Sequence, residues 1–142
     1  MKTYIDTSFL VSLYTLDSNS AAAARAMGVS TGDRFLITFG ELELLNALQL
    51  RVFRKEVSAA QARSSWKDFE QDLRESVFLM RPLTDQIFER AGKLVRDTTA
   101  QLGTRTADLL HVAAALELQA DRLFSFDQQQ RKLAHEVRLK LN

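Results

Sequence analysis

The sequence predicts a three-layer α/β/α sandwich built around a central, mainly parallel β-sheet. Short apolar runs alternate with longer helical patterns along the whole 142-residue chain, as in folds where a crossover helix follows each strand. The runs are continuously apolar, which is typical of parallel strands that are buried on both faces. Pro82 is the only proline, and no repeat or Gly/Pro-rich linker interrupts the pattern, so we expect a single domain over residues 1–142.

In the first half of the chain, a strand over residues 2–5 (KTYI) is expected to end at Asp6, and Thr7 or Ser8 is expected to cap the helix that follows. Apolar residues recur at helical spacing in each later helix. The further predicted elements are a helix over 21–27 after Ser18 or Ser20, a loop over 28–33, a strand over 35–38 (FLIT), a helix over 42–55 and a helix over 58–75 opened by Ser58.

The second half continues the alternation. Thr84 is expected to cap a long helix that ends at Gly103, because glycine readily adopts the left-handed conformation of a helix stop. Thr106 is expected to cap the next helix. The predicted elements are a strand over 77–80 (VFLM), a helix over 84–102, a helix from 106 past 116, a strand over 122–126 (RLFSF), a helix over 127–134 and a strand over 137–141.

Composition limits the possible functions. Hydrophobic residues make up 46% of the chain and charged residues 26%, which is typical of a globular domain. The absence of cysteine excludes disulfides, zinc–thiolate sites and thiol nucleophiles. No apolar run approaches the roughly 20 residues of a membrane span, so we expect a cytoplasmic protein with no membrane contact. The net charge of +1 gives no support to a nucleic-acid substrate, although an acidic pocket rimmed by arginines would also sum to about zero.

Acidic residues follow several of the predicted strands. Asp6 directly follows the first strand and Asp127 the strand over 122–126. Glu41 and Glu43 lie in the first turns of the helix after FLIT, and Asp108 lies in the first turn of its helix. Because the carboxyl ends of parallel strands meet at one edge of a sheet, we expect these acids to lie close together.

Such a group of carboxylates predicts a metal site. Taken singly, each acid can be explained as a helix cap or as a complement to the helix dipole. Together, they repel one another unless a cation compensates, and all-oxygen ligands suit Mg²⁺, Mn²⁺ or Ca²⁺. Ser8 and Ser125 place hydroxyls beside Asp6 and Asp127. His111 lies one turn beyond Asp108, where a packed or hydrogen-bonded structural histidine is the simpler interpretation.

At these residues the sequence resembles a known family. The segments YIDTSFLV, TFGELELLNAL, TRTADLLHVAAAL and FSFDQQQRKLA occur in the order found in PIN-domain nucleases, and they are most similar to VapC-type toxins of type II toxin–antitoxin pairs. The resemblance covers essentially the whole chain. It implies a PIN-like fold, an endoribonuclease that uses Mg²⁺ (or Mn²⁺) to hydrolyse RNA, a small antitoxin protein as partner, and a homodimer.

The resemblance also assigns site residues. The acidic positions of the family fall on Asp6, Glu43, Asp108 and Asp127, which are thereby expected to be both catalytic and metal-binding. Glu41 and Glu43 lie about 200° apart around a helix, so only one can face the site, and the spacing to the following NAL segment favours Glu43.

The sequence leaves open the roles of several basic residues and the choice between alternative functions. Arg51, Arg54 and Lys55 could guide the RNA backbone or simply form a solvated helix end, and Arg105 could contact RNA or neutralise Asp108. A housekeeping RNA-processing nuclease and a non-catalytic PIN-like binding module are the alternatives to a toxin. A phosphatase or receiver domain is disfavoured, because Thr7 and Ser8 follow Asp6 where a D-x-D phosphatase has its second aspartate.

Overall fold

The computed structural model describes residues 1–142 and contains one five-stranded sheet in which all pairings are parallel. The strand order is β3-β2-β1-β4-β5, so that β1 lies at the centre between β2 and β4. Tyr4 in β1 is opposite Phe35 in β2 and Leu123 in β4. The strands are β1 (Lys2–Ile5), β2 (Asp33–Ile37), β3 (Leu79–Arg81), β4 (Arg122–Phe124) and β5 (Lys140–Leu141).

Eight α-helices and one π-helical segment, Val95–Thr99, connect and cover the strands. None of the helices has the length and apolar character needed to cross a membrane. The α-helices are α1 (Thr7–Tyr14), α2 (Ser20–Val29), α3 (Thr38–Phe53), α4 (Ala59–Arg74), α5 (Asp85–Leu94), α6 (Ala100–Leu102), α7 (Thr106–Glu117) and α8 (Gln128–Glu136).

Each face of the sheet is buried against a separate group of helices. Tyr4 and Leu123 pack with apolar residues of α5, α7 and α8 on one face. The alternate positions Ile5 and Phe124 pack with residues of α1, α3 and α4 on the other, where Phe69 is fully buried. Burying a side chain of this size contributes roughly 1.5–3 kcal/mol. The predicted three-layer α/β/α sandwich with a parallel central sheet is therefore confirmed.

The helix starts are partly as predicted. Ser58 and Thr84 cap α4 and α5 through their hydroxyls, and Gly103 has the predicted left-handed conformation, with φ of 65°. The predicted caps Thr7 or Ser8 are wrong, because the carboxylate of Asp6 accepts the capping bond from the Phe9 amide and the helix starts one residue earlier.

Two further cap predictions are also wrong. Asn19 occupies the cap position of α2 in place of Ser18 or Ser20, and Arg105 occupies the position expected for Thr106. Ser20 and Thr106 are the first residues of α2 and α7, and Ser18 lies before the cap position of α2. Neither Asn19 nor Arg105 makes a side-chain capping hydrogen bond. At α2 and α7 the hydroxyl residues near the helix start therefore located the helix but not its cap, unlike at α4 and α5.

The strand predicted over 2–5 is confirmed at both ends as β1, and the other four strands were located but with different ends. The strand predicted over 122–126 ends at Phe124, because the next two amides bond to side chains instead of a neighbouring strand. The Ser125 amide donates to Asn142 and the Phe126 amide donates to Ser8. The strand predicted over 137–141 is shorter. The strand predicted over 35–38 lies one to two residues earlier than expected, and that predicted over 77–80 lies one to two residues later.

The predicted helix over 84–102 is not uniform. α5 ends at Leu94 and passes through the π-helical turn into α6. The hydroxyl of buried Thr98 donates a 2.6 Å hydrogen bond to the carbonyl of Leu94 within this turn. Such a turn inserts a residue into the helical repeat without changing composition, so the sequence pattern does not predict it.

Candidate active site

The four predicted acids lie near one edge of the parallel sheet. Asp6 follows β1 and caps α1, and Asp127 lies beyond β4 and caps α8. Glu43 lies near the start of α3, the helix that follows β2, and Asp108 lies in the first turn of α7. Since β1 pairs with both β2 and β4, the helices that carry Asp6, Glu43 and Asp127 all start at the carboxyl edge of adjacent strands.

Asp6 is the most enclosed of the four acids, with no exposed surface. Its Oδ1 accepts hydrogen bonds from Ser8 Oγ (2.8 Å) and from the Phe9 amide (3.0 Å), and its Oδ2 accepts one from Ser125 Oγ (3.0 Å). No lysine or arginine pairs with it. Burial raises the pKa of Asp6, since removing a carboxylate from water disfavours its charged form.

Glu43 is held by two donors. Thr7 Oγ1 donates a 2.7 Å hydrogen bond to Glu43 Oε1, and His111 Nε2 contacts the same oxygen. Partial burial favours a higher pKa for Glu43, but the contact and charge of His111, together with Thr7, lower it below its ordinary value. Glu41 makes no side-chain hydrogen bond or ion pair, so of the two glutamates only Glu43 contacts the residues around Asp6.

Asp108 and Asp127 share two partners. Arg105 donates from Nε to Asp108 Oδ2 (3.1 Å) and from Nη2 to Asp127 Oδ2 (3.3 Å). Gln130 donates from its side chain to Asp108 Oδ1 (3.1 Å) and from its backbone to Asp127 Oδ1 (2.9 Å). The side chain of Arg105 is 71% exposed whereas that of Asp108 is only 7% exposed, so the guanidinium closes the pair from the solvent side.

Two serines connect these pairs of acids. Ser8 Oγ lies 3.4 Å from Ser125 Oγ, and both hydroxyls donate to Asp6. Ser125 Oγ also accepts a 3.1 Å hydrogen bond from the Asp127 amide. The predicted hydroxyls therefore join the Asp6 side of the site to the Asp127 side through continuous hydrogen bonds.

The chemistry of this donor set fits a hard divalent cation, although the acids do not converge on a single point. No group of three or more acidic or imidazole side chains is placed to hold one ion. The exposed Arg105 guanidinium instead supplies the positive charge beside Asp108 and Asp127. Asp6 is buried without a cationic partner, an arrangement that favours a cation in its vicinity. Carboxylate and hydroxyl oxygens are the ligands that Mg²⁺ and Mn²⁺ prefer.

A cavity of about 450 Å³ adjoins the site beside Phe126 and Gln128, the neighbours of Asp127. Its lining contains two arginines and no acidic residue. Arg131 uses Nη1 to hold the Ser125 carbonyl and the Asn142 side chain, and Arg25 is exposed without an ion-pair partner. The remaining lining residues are Asn19, Ala22, Ala26 and Asn142.

The sequence did not identify every residue of this site. Gln130 and Tyr4 were not predicted, because their contacts join segments far apart in the chain and neither residue type indicates such a role by itself. Arg51, a candidate RNA contact, is instead paired with Asp17 (3.6 Å) and Glu56 (3.9 Å).

The chain is similar to known proteins in sequence pattern and in fold. It matches the family model described as PIN domain over residues 3–136. No curated protein sequence matches it significantly. Among solved structures, VapC20 of Mycobacterium tuberculosis, described as a sarcin–ricin loop cleaving toxin, has a TM-score of 0.71 at 16% identity, covering 92% of this chain and 93% of its own.

Two further structures show the same likeness. FitAcB from Neisseria gonorrhoeae has a TM-score of 0.71 at 15% identity, covering 98% of this chain and 95% of its own. VapBC2 from Rickettsia felis, bound to a DNA fragment from its promoter, has a TM-score of 0.66 at 17% identity, covering 100% and 98%. At these identities the likeness establishes a shared fold.

Proposed function

The chain belongs to the PIN-domain family, and from that premise we propose that it is a metal-dependent endoribonuclease acting as the toxin of a toxin–antitoxin pair. The observation that carries this proposal is that Asp6, Glu43, Asp108 and Asp127 all lie on the carboxyl side of one parallel sheet. Hydrogen bonds from Arg105 and Gln130 join Asp108 to Asp127, and those of Ser125 join Asp6 to the Asp127 amide. The description of the structural relative VapC20 as a sarcin–ricin loop cleaving toxin supports the same activity.

The proposed catalytic centre assigns a role to each acid. Asp6 and Glu43 would hold the metal from the β1 and β2 side, and Asp108 and Asp127 from the β4 side. Bound Mg²⁺ or Mn²⁺ would activate water and stabilise negative charge on the scissile phosphate. Ser8 and Ser125 fix the orientation of the Asp6 carboxylate by donating to both of its oxygens. The close packing around Asp6 excludes bulk water from that side of the site.

The cavity beside Asp127 supports a polyanionic substrate. Arg25 and Arg131 line it, and guanidinium groups pair well with phosphate oxygens. One face of the Phe126 ring stacks on Phe9, and the ring also lines this cavity, where an RNA base would have its other face to stack on. We therefore propose that the RNA strand runs along this cavity and that one phosphodiester extends past Asp127 towards the acids.

The exposed apolar residues of α3 support the proposal that this protein binds protein partners. Leu42 is 62% exposed and Phe53 is 83% exposed, and Leu45 and Leu50 add to the same helix. Apolar surface of this kind commonly marks an interaction site. The structural relatives include VapBC complexes, which supports a small antitoxin as one partner. We propose a homodimer for the toxin itself and the cytoplasm as its compartment.

The proposal is tested by incubating purified protein with structured RNAs, including ribosomal and transfer RNA, in Mg²⁺, in Mn²⁺ and in chelator. An Asp6→Asn preparation serves as the control for contaminating nuclease. We expect discrete products that require the metal and are absent with the variant. Cleavage of a broad range of RNAs, with no toxicity on expression, would favour a housekeeping nuclease. Equal behaviour of both preparations on every RNA would favour a non-catalytic binding module.

A further inference from the structure

A buried tyrosine and a buried histidine lie behind Glu43. Tyr4 Oη and His111 Nδ1 are 2.8 Å apart, and His111 Nε2 contacts Glu43 Oε1. The exposed fraction of Tyr4 is 0% and that of His111 is 1%. The rings of Tyr4 and Phe39 pack against the imidazole, so its orientation is fixed.

The chemistry of the three groups determines which atoms donate and which accept in the hydrogen bonds that join Tyr4, His111 and Glu43. An ionised carboxylate only accepts hydrogen bonds, so His111 Nε2 must carry the proton that faces Glu43. In the neutral imidazole, Nδ1 then accepts a hydrogen bond from the Tyr4 hydroxyl, and in the imidazolium Nδ1 donates to the Tyr4 oxygen, so Nε2 donates to Glu43 in both states. Tyr4 thus selects the tautomer that allows His111 to donate to Glu43.

The series leaves one oxygen of Glu43 available. Thr7 and His111 both contact Oε1, whereas Oε2 accepts no hydrogen bond within the chain. The side chain of Glu43 is 28% exposed, so it is open on its outer side. Partners that orient a ligating carboxylate in this way are known to tune metal sites.

We propose that Tyr4 and His111 form a hydrogen-bond relay that positions Glu43 and leaves its Oε2 free for the divalent cation. His111 is thus a positioning residue and not a metal ligand. This inference rests on the proposed function, because it assumes that Glu43 binds the metal. The relay also joins the elements that supply the acids: Tyr4 lies two residues before Asp6, and His111 lies three residues after Asp108.

The test measures Mn²⁺ binding by isothermal titration calorimetry with the full chain. His111→Leu removes the donor to Glu43 and is expected to weaken binding by about 10- to 100-fold. His111→Gln keeps an N–H donor near the Nε2 position and is expected to recover much of that loss. Val112→Ala, a fully buried neighbour on the same helix that takes no part in the relay, controls for general destabilisation and should bind like the wild type.

A second variant and a spectroscopic readout do not depend on His111 variants folding. Tyr4→Phe removes the donor to Nδ1 and is expected to weaken Mn²⁺ binding in the same direction but less. In ¹⁵N spectra of the metal-free wild type, His111 is expected to carry its proton on Nε2.

The outcomes separate this inference from the function on which it rests. Wild-type protein that binds Mn²⁺ and cleaves RNA, with His111→Leu and Tyr4→Phe binding equally well, would overturn the relay alone. A wild-type His111 protonated only on Nδ1 would also overturn it. Wild-type protein that neither binds Mn²⁺ nor cleaves RNA would overturn the proposed function together with the relay.

Discussion

Ser125 donates a 3.0 Å hydrogen bond to Oδ2 of Asp6, although 119 positions separate the two residues in the sequence. The bond joins the ends of the central strand β1 and its neighbour β4. Ser8 donates to the same carboxylate from the first turn of α1. The orientation of Asp6 is therefore fixed from two elements, and the site depends on their pairing.

Replacing Asp6 by asparagine is expected to abolish cleavage while preserving the fold. Asparagine caps helices as well as aspartate does, so the bond from the Phe9 amide survives. Because burial raises the pKa of Asp6, its ionised form destabilises the native state above the ordinary carboxyl pKa. We expect the melting temperature of Asp6→Asn without metal to equal or exceed that of the wild type at neutral pH.

The pH dependence provides an internal control for that prediction. As pH falls through the raised pKa, native Asp6 becomes protonated, and its destabilising effect declines until it is lost below the ordinary carboxyl pKa. The advantage of Asp6→Asn in melting temperature should therefore shrink with falling pH. A variant that loses its cooperative melting transition would instead show that Asp6 has an essential structural role.

Glu43→Gln is expected to reduce cleavage far more than Glu41→Gln. Each substitution removes one negative charge from the first turns of α3, so the two variants are matched in charge and position. Only Glu43 contacts Thr7 and His111 beside the site. Loss of a residue that binds a catalytic metal or transfers a proton commonly lowers the rate by about 100-fold or more. Equal losses, or the reverse order, would contradict the choice of Glu43.

Arg105→Gln is expected to tighten Mn²⁺ binding, because the guanidinium competes with the cation for Asp108 and Asp127. Since this arginine is largely exposed, we expect a gain of only about 2- to 5-fold in calorimetric affinity. Arg90→Gln, which removes an arginine paired with Glu117 on another surface, is the charge-matched control and should leave affinity unchanged. Weaker binding by Arg105→Gln would mean that Arg105 organises the acids instead of competing for them.

Arg25→Gln and Arg131→Lys are expected to weaken binding of single-stranded RNA, measured by fluorescence anisotropy in the Asp6→Asn background to prevent cleavage. Lysine at 131 keeps the charge but loses the planar donor set. Because Arg25→Gln removes one contact to an RNA phosphate, the slope of log affinity against log salt concentration should become less steep by about 0.7. Arg90→Gln again serves as control. An unchanged slope for Arg25→Gln would contradict the proposal that RNA binds along the cavity beside Phe126.

The sequence predicted the layers of this fold because burial on both faces favours consecutive, mostly apolar residues at the carboxyl-end positions of β1, β2 and β4. Element ends were less predictable, since hydrogen bonds to distant side chains decide them. β4 stops at Phe124 because Asn142 and Ser8 take the next amides. The π-helical turn likewise depends on local bonding that leaves no mark on residue periodicity.

The same distinction holds for the candidate site. Strand-end acids are visible in the sequence because topology brings strand ends together, whatever their distance along the chain. The partners of those acids are not visible. His111 could be identified as a packed histidine, but its link to Tyr4 spans 107 positions and requires the three-dimensional structure. The shared use of Arg105 by Asp108 and Asp127 was equally hidden.

The most direct test of the central claim is a crystal structure of the protein grown with Mn²⁺, with the ion located by its anomalous scattering. We predict an ion about 2.1 Å from carboxylate oxygens of Asp6 and at least one of Glu43, Asp108 and Asp127, with Arg105 withdrawn from any acid that binds it. An ion bound elsewhere, or none at saturating Mn²⁺ with the Arg105 ion pairs intact, would contradict the assignment of these acids as the metal site.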